Sequence, residues 1–388
     1  MKALRTAAIV AFMLVQGVCH AREDTGDMPD SLRISLLTCS PYEEIYALYG
    51  HTAIRVEDLR TGADFVVNYG LFSFDEPFFA LRFVFGITDY EMGVESFRGL
   101  RRKYAYYKCG IIQQELNLTK EEKEAILAAM AVNYMPENRV YRYNYFYDNC
   151  TTRARNIIAN NIKGRVSYGD DNFSGPTFRE LVHACTAHRP WAKFGDDLLL
   201  GVMADVNTTR TEYQFLPYNL MRDFDNAWIT DSSGESRPLV ASKTVVLEAG
   251  VQEKAAEFPL SPLTCGVVLL VVTIAVTVCE RLMRRQLYVY DAALMTACGF
   301  LGIILFAMLF SQHPTVRVNF QLLLLNPLPL FLVWRMVKRT RRGQPDWQYR
   351  MWTALILLFL LGGVWQTYAE GMHLLACSLL TRNVARLI

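Results

Sequence analysis

The sequence predicts an α+β extracytoplasmic domain followed by an α-helical transmembrane bundle of four to five helices. Three observations point there: an export signal at the N-terminus, short alternating strand-like and helical patterns up to about residue 257, and long apolar runs separated by basic loops beyond Pro262. Composition agrees, since 52% of the 388 residues are hydrophobic, more than an ordinary soluble chain carries. The formal net charge is only +2, and with no basic cluster interleaved with aromatics in the way that nucleic-acid binding would need, nucleic acid is set aside as a partner.

Residues 1–21 read as a secretory signal peptide: Lys2 and Arg5, then AAIVAFMLV, then Cys19-His20-Ala21 with small residues at the expected positions. Gln16-Gly17-Val18 lacks the small residue that a lipid-attachment box places before its cysteine. Cleavage after Ala21 is therefore expected, with an uncleaved anchor as the alternative. Residues 22–257 form the expected exported domain. Strand-like runs lie at Leu32 to Thr38, Thr52 to Glu57 and Phe65 to Tyr69, the last two joined as a hairpin by the turn 58–62. Helical patterns follow at Pro77 to Phe85, at Thr119 to Tyr134 behind a Thr119/Glu122 capping box, and at Thr177 to Ala187. Between the first two, Tyr104 to Leu118 alternates like a further strand.

Residues 258–388 are the expected transmembrane domain, with apolar runs at 263–279, 289–310, 318–333, 351–368 and 372–380, the last short and followed by Thr381-Arg382-Asn383. Alternate loops carry Arg281, Arg284 and Arg285, then Arg335 to Arg350, then Arg382 and Arg386, whereas the opposite loops hold only Arg317. By the positive-inside rule the basic loops face the cytoplasm, and residues 22–257 lie outside. The export signal predicts the same orientation. His313 and Asn326, at the outer boundary or inside the third run, are functional candidates because polar groups at such depths are costly.

The candidate nucleophile is Cys150. In RVYRYNYFYDNCTTRARNII, Tyr141, Tyr143, Tyr145 and Tyr147 fall on one face of an extended segment, and Asp148 or Asn149 caps a helix that Cys150 opens. A thiol at the positive end of a helix dipole is acidified. The bland reading of such a cysteine is a small buried hydrophobe. A thiol that attacks an acyl carbon needs a base, a polar group that holds the base, and donors for the oxyanion. His51 begins the strand GHTAIRV and supplies the base, and Gly50 permits close approach. Asn68, on the strand paired with it, supplies the orienting amide. Backbone N–H groups at the helix start form the oxyanion site, with Tyr49, Tyr69 or Asn149 as side-chain helpers. His183 and His188 read as structural. Cys39, Cys109, Cys150 and Cys185 allow two disulfides in three pairings, and a Cys39–Cys109 bridge would leave Cys150 free. No CxxC, HExxH, HxH, GxSxG, Walker or GxGxxG pattern is present, so neither a metal nor a cofactor is expected.

A His on a strand, then a polar residue, then Asn-Cys opening a helix resembles the circularly permuted papain-like fold of the lecithin:retinol acyltransferase and NlpC relatives. More closely, GHTAIRV, VVNYGLFSF, YRYNYFYDNCTTRAR, DDLLLGVMAD, QFLP and FSQHPTVRVNFQLLLLNPL together resemble the lipoprotein N-acyltransferase family of Bacteroides-type bacteria. That resemblance implies a protein of the bacterial inner membrane. It also implies an acyl transfer in which Cys150 takes a fatty acyl chain from a phospholipid donor as a thioester and passes it to the N-terminal amine of a diacylglyceryl-cysteine lipoprotein. It carries over Cys150, His51 and Asn68 as catalytic, with Tyr69, Asp148, Asn149, Arg153, His313 and Asn326 in support. The same Cys-His pair also suits a membrane-bound cysteine hydrolase, a peptidase, phospholipase or thioesterase, with water as acceptor. A non-catalytic envelope scaffold is the remaining alternative, and it requires that Cys150→Ser leave function intact.

Overall fold

The computed structural model describes residues 30–72, 77–169, 172–253, 256–344 and 346–387, so the expected signal peptide 1–21 lies outside the described residues. The chain divides into two units: residues up to Gly175 with Thr208–Ala255, and Pro176–Asn207 with Ala256–Ile388. The stretch 176–207, inside the expected exported region, thus packs with the C-terminal unit.

The first unit is α+β. Its main sheet is antiparallel, in the order β10-β5-β1-β2-β3-β4-β6, from strands β1 (Leu32–Cys39), β2 (His51–Asp58), β3 (Ala63–Leu71), β4 (Asp89–Ser96), β5 (Ile111–Leu116), β6 (Val140–Arg142) and β10 (Val240–Leu247). Strands β7 (Arg165–Ser167), β8 (Trp228–Thr230) and β9 (Ser236–Pro238) form a second small sheet. The β2–β3 hairpin is the one its turn predicts, with Ala53 opposite Asn68. The central strands are covered on both faces, which explains the near-continuous apolar run of β1. Ile34, Leu36, Ile54 and Val67 pack with Ile126 and Met130 of α3 (Lys120–Tyr134) and Ile157 and Ile158 of α4 (Cys150–Ala159). Leu37, Ala53 and Val66 instead meet Leu100 and Tyr104 of α2 (Phe97–Tyr106). The Thr119 box caps α3 as expected, its hydroxyl accepting from the Glu122 N–H at 3.3 Å. A short α1 (Phe79–Val84) lies within the expected helix 77–85.

Two local expectations are corrected. Residues 104–118 are not one strand: α2 runs to Tyr106 and β5 starts at Ile111. The four-residue spacing of Leu100 and Tyr104 puts both into the core only on a helix, and the Ser96 hydroxyl caps its start by accepting from the Gly99 N–H at 3.1 Å. Nor do the tyrosines 141–147 share one extended face. β6 ends at Arg142, and the Asn144 side chain accepts from the N–H groups of Phe146 and Tyr147 at 3.2 Å each, turning the chain. Tyr141 is then buried and Tyr147 exposed.

The second unit contains α5 (Phe178–Thr186), α6 (Pro190–Leu199), α9 (Pro262–Met283), α10 (Tyr288–Met308), α11 (Gln321–Leu324), α12 (Leu328–Arg341), α13 (Trp347–Gly362) and α14 (Met372–Leu387), while α7 (Arg210–Tyr213) and α8 (Pro217–Asp225) belong to the first. By length and composition α9 and α10, of 22 and 21 residues, are able to cross a membrane. The third predicted run is not one helix, because Asn326-Pro327 separates α11 from α12. The polar end of the last run is not a frayed tail. Arg382 donates to Asp291 at 2.6 Å and pairs with Glu280 at 2.8 Å, and Arg386 pairs with Glu280 at 2.7 Å, all four side chains being buried. Buried charges in such a bundle persist only when paired, and this network ties α14 to α9 and α10. Replacing Arg382 by Leu leaves Arg386 as the one cation of the network facing two buried carboxylates. The expected loss is about 3–5 kcal/mol, read as a lower thermal midpoint in detergent. An unchanged midpoint contradicts a structural role for the network.

Candidate active site

Three strands and one helix bring the predicted residues together. Thr119-like capping recurs at Asn149, whose side-chain oxygen accepts from the N–H groups of Thr151 and Thr152 at 2.9 Å each and starts α4. The Asn149 amide nitrogen donates to the carbonyls of Tyr145 and Phe215 at 2.8 and 3.0 Å. The whole side chain is thus engaged in holding the helix start. Its carbonyl takes the Arg153 N–H, and among the described residues the Cys150 amide is the first-turn donor for which no cap is present. Thr151 faces Thr52 of β2 through a 3.1 Å hydroxyl pair, which fixes the helix start against the strand that His51 opens.

His51 enters β2 from Gly50, held at φ +75°, where a Cβ would lie 2.8 Å from the Cys39 carbonyl oxygen. No other residue fits that junction without a shift. His51 Nε2 lies 3.0 Å from Asn68 Oδ1, and Asn68 Nδ2 donates to Glu95 Oε1 of β4 at 2.7 Å. A carboxylate only accepts, so Glu95 orients the Asn68 amide with its oxygen towards the ring. That oxygen also only accepts, so the proton of the neutral imidazole sits on Nε2. Nδ1 then carries the lone pair that takes the thiol proton. Beyond Asn68 the β3–β4 register is interrupted, and Gly70 sits there at φ +96°, its missing Cβ 3.6 Å from that of Cys150. Such irregularities re-aim strands beside active sites.

The electrostatics separate Cys150 from its neighbours. Burial pushes the Cys39 thiol up to about 12 and the Cys109 thiol up to about 11. Burial acts upwards on Cys150 too. It is outweighed by the charge of His51, a hydrogen bond with that ring, the Thr52 N–H and the Thr151 hydroxyl, which bring the thiol down to about 7. The His51 ring is conversely raised: burial acts to lower it, and the Cys150 charge and the bonds to Cys150 and Asn68 prevail. Cys150 is thus far more acidic than Cys39 or Cys109 and is the one of the three poised to ionise near neutral pH. Among the described cysteines none is in a disulfide, so the possible Cys39–Cys109 bridge is not formed.

Around the thiol stand Tyr69, Tyr90 and Tyr141, buried in one cluster against which Cys150 and Tyr143 pack. Burial, and for Tyr90, Tyr141 and Tyr143 also the Cys150 charge, raises these phenols, so they remain protonated donors at neutral pH. The buried hydroxyls of Tyr69 and Tyr141 have no hydrogen-bond partner among the described residues. Asp148 and Arg153 pair with each other at 2.6 and 2.8 Å, and the guanidinium lies 3.5 Å over the Tyr141 ring. They shape the wall rather than reach the sulfur. Tyr49 meets Tyr145 edge-on at 5.0 Å.

His313 and Asn326 belong to the second unit. Both are buried, and the segment they bound holds the 197–202 loop: Gln321 Nε2 donates to the Asp197 carbonyl at 2.8 Å, and the Gly201 N–H donates to Thr315 at 2.8 Å. His183, read as structural, bonds Asp197 at 2.8 Å beside buried Arg179, which pairs with the same carboxylate at 2.7 Å. Sequence reasoning passed over Glu95, Tyr141 as a donor, and Thr52 with Thr151. Only the alternation of Tyr90, Met92 and Val94 signals β4, and nothing in it marks Glu95 as a partner of Asn68.

Fold and site define a membrane protein whose α+β region holds a thiol–imidazole pair. Residues 25–184 match the family model described as the Lnb N-terminal periplasmic domain, and residues 253–388 match the Lnb transmembrane domain. The chain belongs to the Lnb-type lipoprotein N-acyltransferase family, with its N-terminal region periplasmic. No curated protein and no solved structure gives a significant match.

The alkylation rate of Cys150 by iodoacetamide, followed by peptide mass spectrometry, is expected to rise through pH 7, the depressed folded value. His51→Ala removes the main lowering influences and moves the midpoint up towards that of an ordinary thiol, and Glu95→Ala moves it part of the way. A wild-type midpoint near 9 contradicts the pairing.

Proposed function

We propose that this protein is a lipoprotein N-acyltransferase of the bacterial inner membrane, with Cys150 as nucleophile, His51 as proton carrier and Asn68 as the residue that orients His51. The observation that carries this reading is the hydrogen-bonded chain Cys150–His51–Asn68–Glu95 at the opening of a helix, in a chain of this family. The antiparallel sheet with its histidine on β2 and its cysteine on α4 is in keeping with a permuted papain-like domain. We assign the second unit the role of a multi-pass anchor, with α9, α10, α12, α13 and α14 as its crossing segments.

In the first half-reaction the Cys150 thiolate attacks the ester carbonyl of a phospholipid acyl chain, giving a tetrahedral oxyanion. The imidazolium protonates the departing glycerol oxygen, lysophospholipid leaves, and the acyl group remains as a thioester. In the second, the neutral α-amine of a diacylglyceryl-cysteine attacks the thioester, His51 takes the amine proton, and the thiolate departs as the amide forms. The uncapped Cys150 N–H and the unpartnered Tyr141 hydroxyl supply the oxyanion donors. A thioester yields to an amine rather than to water where water is excluded, and the tyrosine cluster at Cys150 favours that outcome.

The deciding experiment is the intact mass of an acceptor lipoprotein's N-terminal peptide from cells with wild-type protein or Cys150→Ala as the sole copy, at matched protein level. Loss of one acyl mass in the variant is expected. A fully acylated peptide contradicts the reading, and fatty acid released by purified protein without a new amide identifies a hydrolase instead. Tyr141→Phe, which keeps the ring, is expected to lower kcat by on the order of 10²-fold with little change in KM. An unchanged kcat removes Tyr141 from the oxyanion site.

A further inference from the structure

A cavity of about 310 Å³ opens within the second unit, between the start of α5 and the 363–367 segment that joins α13 to α14. Thr177, Arg179, Glu180 and His183 on one wall lie in the stretch matched as periplasmic, and the 363–367 wall belongs to the matched transmembrane domain. The cavity therefore sits on the periplasmic side of the membrane domain. At its rim stand Trp365, 60% exposed, and Val364, 75% exposed, residues of the kind found where a helix leaves hydrocarbon. The volume is that of a small-molecule site and far more than a metal ion fills.

The polar lining offers acceptors, because its strong donors are spent within the protein. Arg179 is buried with every guanidinium nitrogen engaged. Its Nε donates to Asp205 at 2.8 Å and one terminal nitrogen to Asp197 at 2.7 Å, and the other terminal nitrogen reaches the Leu200 and Gly201 carbonyls at 3.2 Å each and Asp205 at 3.0 Å. The Gln366 amide donates to the Leu200 carbonyl at 3.1 Å and to Asn319 at 2.9 Å. The Thr177 N–H donates to Glu180 at 2.8 Å and the Thr367 N–H to Asp205 at 3.3 Å. His183 Nε2 lies 2.8 and 2.9 Å from the two oxygens of Asp197. A carboxylate only accepts, so Nε2 holds the proton, and in the neutral ring Nδ1 is left as an acceptor. Three carboxylates, Glu180, Asp197 and Asp205, stand against the one guanidinium of Arg179, which leaves two negative charges in excess.

An acceptor-lined cavity with surplus negative charge and an indole face at its rim suits a compact cation that donates hydrogen bonds. A metal ion fits poorly, because among the described residues no three His, Cys, Asp or Glu side chains converge to hold one. A phosphate or carboxylate meets a guanidinium whose donors are already used. We propose that this cavity binds the primary ammonium group of a membrane-borne substrate, with Glu180 and Asp205 as its counter-charge, His183 Nδ1 as a further acceptor and Trp365 lying over it. Two groups share that chemistry: the α-ammonium of a lipoprotein acceptor and the ethanolamine headgroup of a phospholipid donor. The assignment deepens the acyltransferase reading by giving the second unit a part in substrate recognition besides anchoring, and it rests on that reading for the two candidate amines.

The test uses full-length Cys150→Ala protein in phosphatidylglycerol nanodiscs, so that binding is read without turnover. Two pairs of photoactivatable probes are compared, with labelled peptides mapped by mass spectrometry: a diacylglyceryl-cysteine peptide with its α-amine free or acetylated, and phosphatidylethanolamine or phosphatidylglycerol with the reactive group near the headgroup. In at least one pair the amine-bearing probe is expected to label peptides covering 177–183 and 363–367 at least about fivefold more than its counterpart. A preference in the peptide pair assigns the cavity to the lipoprotein amine, and one in the phospholipid pair assigns it to the donor headgroup. Glu180→Gln keeps a capping residue at that position and removes one charge, and Trp365→Ala removes the indole at an exposed site. Each is expected to reduce the preference by at least about threefold, at an unchanged thermal midpoint. No preference for the amine in either pair, or a preference that both substitutions leave intact, overturns the proposal. Such a failure leaves Cys150-dependent acylation of a lipoprotein standing, and failure of the acyltransferase reading leaves the labelling in place, so the two are told apart.

Discussion

The 3.0 Å hydrogen bond between His51 and Asn68 is the constraint on which the site depends. An imidazole beside a thiol is a useful base only if the nitrogen facing the sulfur is the unprotonated one. Asn68 alone does not secure this, because an amide is free to turn and offer its nitrogen. The Glu95 carboxylate removes that freedom, and its reach across β3 and β4 makes the tautomer of His51 a property of strand register. A slip of one residue in that pairing would send Asn68 to the opposite face of the sheet.

The helix side of the site rests on an equally local device. Asn149 spends both ends of its amide on the backbone, capping the N–H groups of Thr151 and Thr152 rather than that of Cys150 and tying α4 to the Phe215 carbonyl. The Thr52–Thr151 pair then joins helix start to strand start. Burial alone would keep the thiol protonated, as it does for Cys39 and Cys109. One strand start, one cap and one imidazole make Cys150 the exception. The tyrosine walls add an aromatic, donor-bearing surface whose phenols stay neutral.

Much of this was legible in the sequence because it is encoded locally. The Thr119 capping box, the 58–62 hairpin turn, the Asn149–Cys150 helix start and the two long apolar helices each announce themselves within a few residues. What was not legible depends on distant pairing. Glu95 meets Asn68 only because β3 and β4 are neighbours, and Arg382 finds Asp291 and Glu280 only when α14 packs on α9 and α10. Alternation misled twice for a physical reason. In 104–118 the buried Tyr104 belongs to a helix whose period the strand pattern imitates, and in 141–147 an Asn144 turn overrides the tyrosine periodicity.

The central claim is that Cys150 carries the acyl group in transit, and trapping that species tests it most directly. Purified protein incubated with phospholipid vesicles and no lipoprotein acceptor, then quenched in acid, should show one added acyl mass on the peptide that contains Cys150. Neutral hydroxylamine should remove it, and it should be absent from Cys150→Ser and depleted in His51→Ala. An acyl group found on another residue, or on none while an acceptor is nonetheless acylated, would contradict the account.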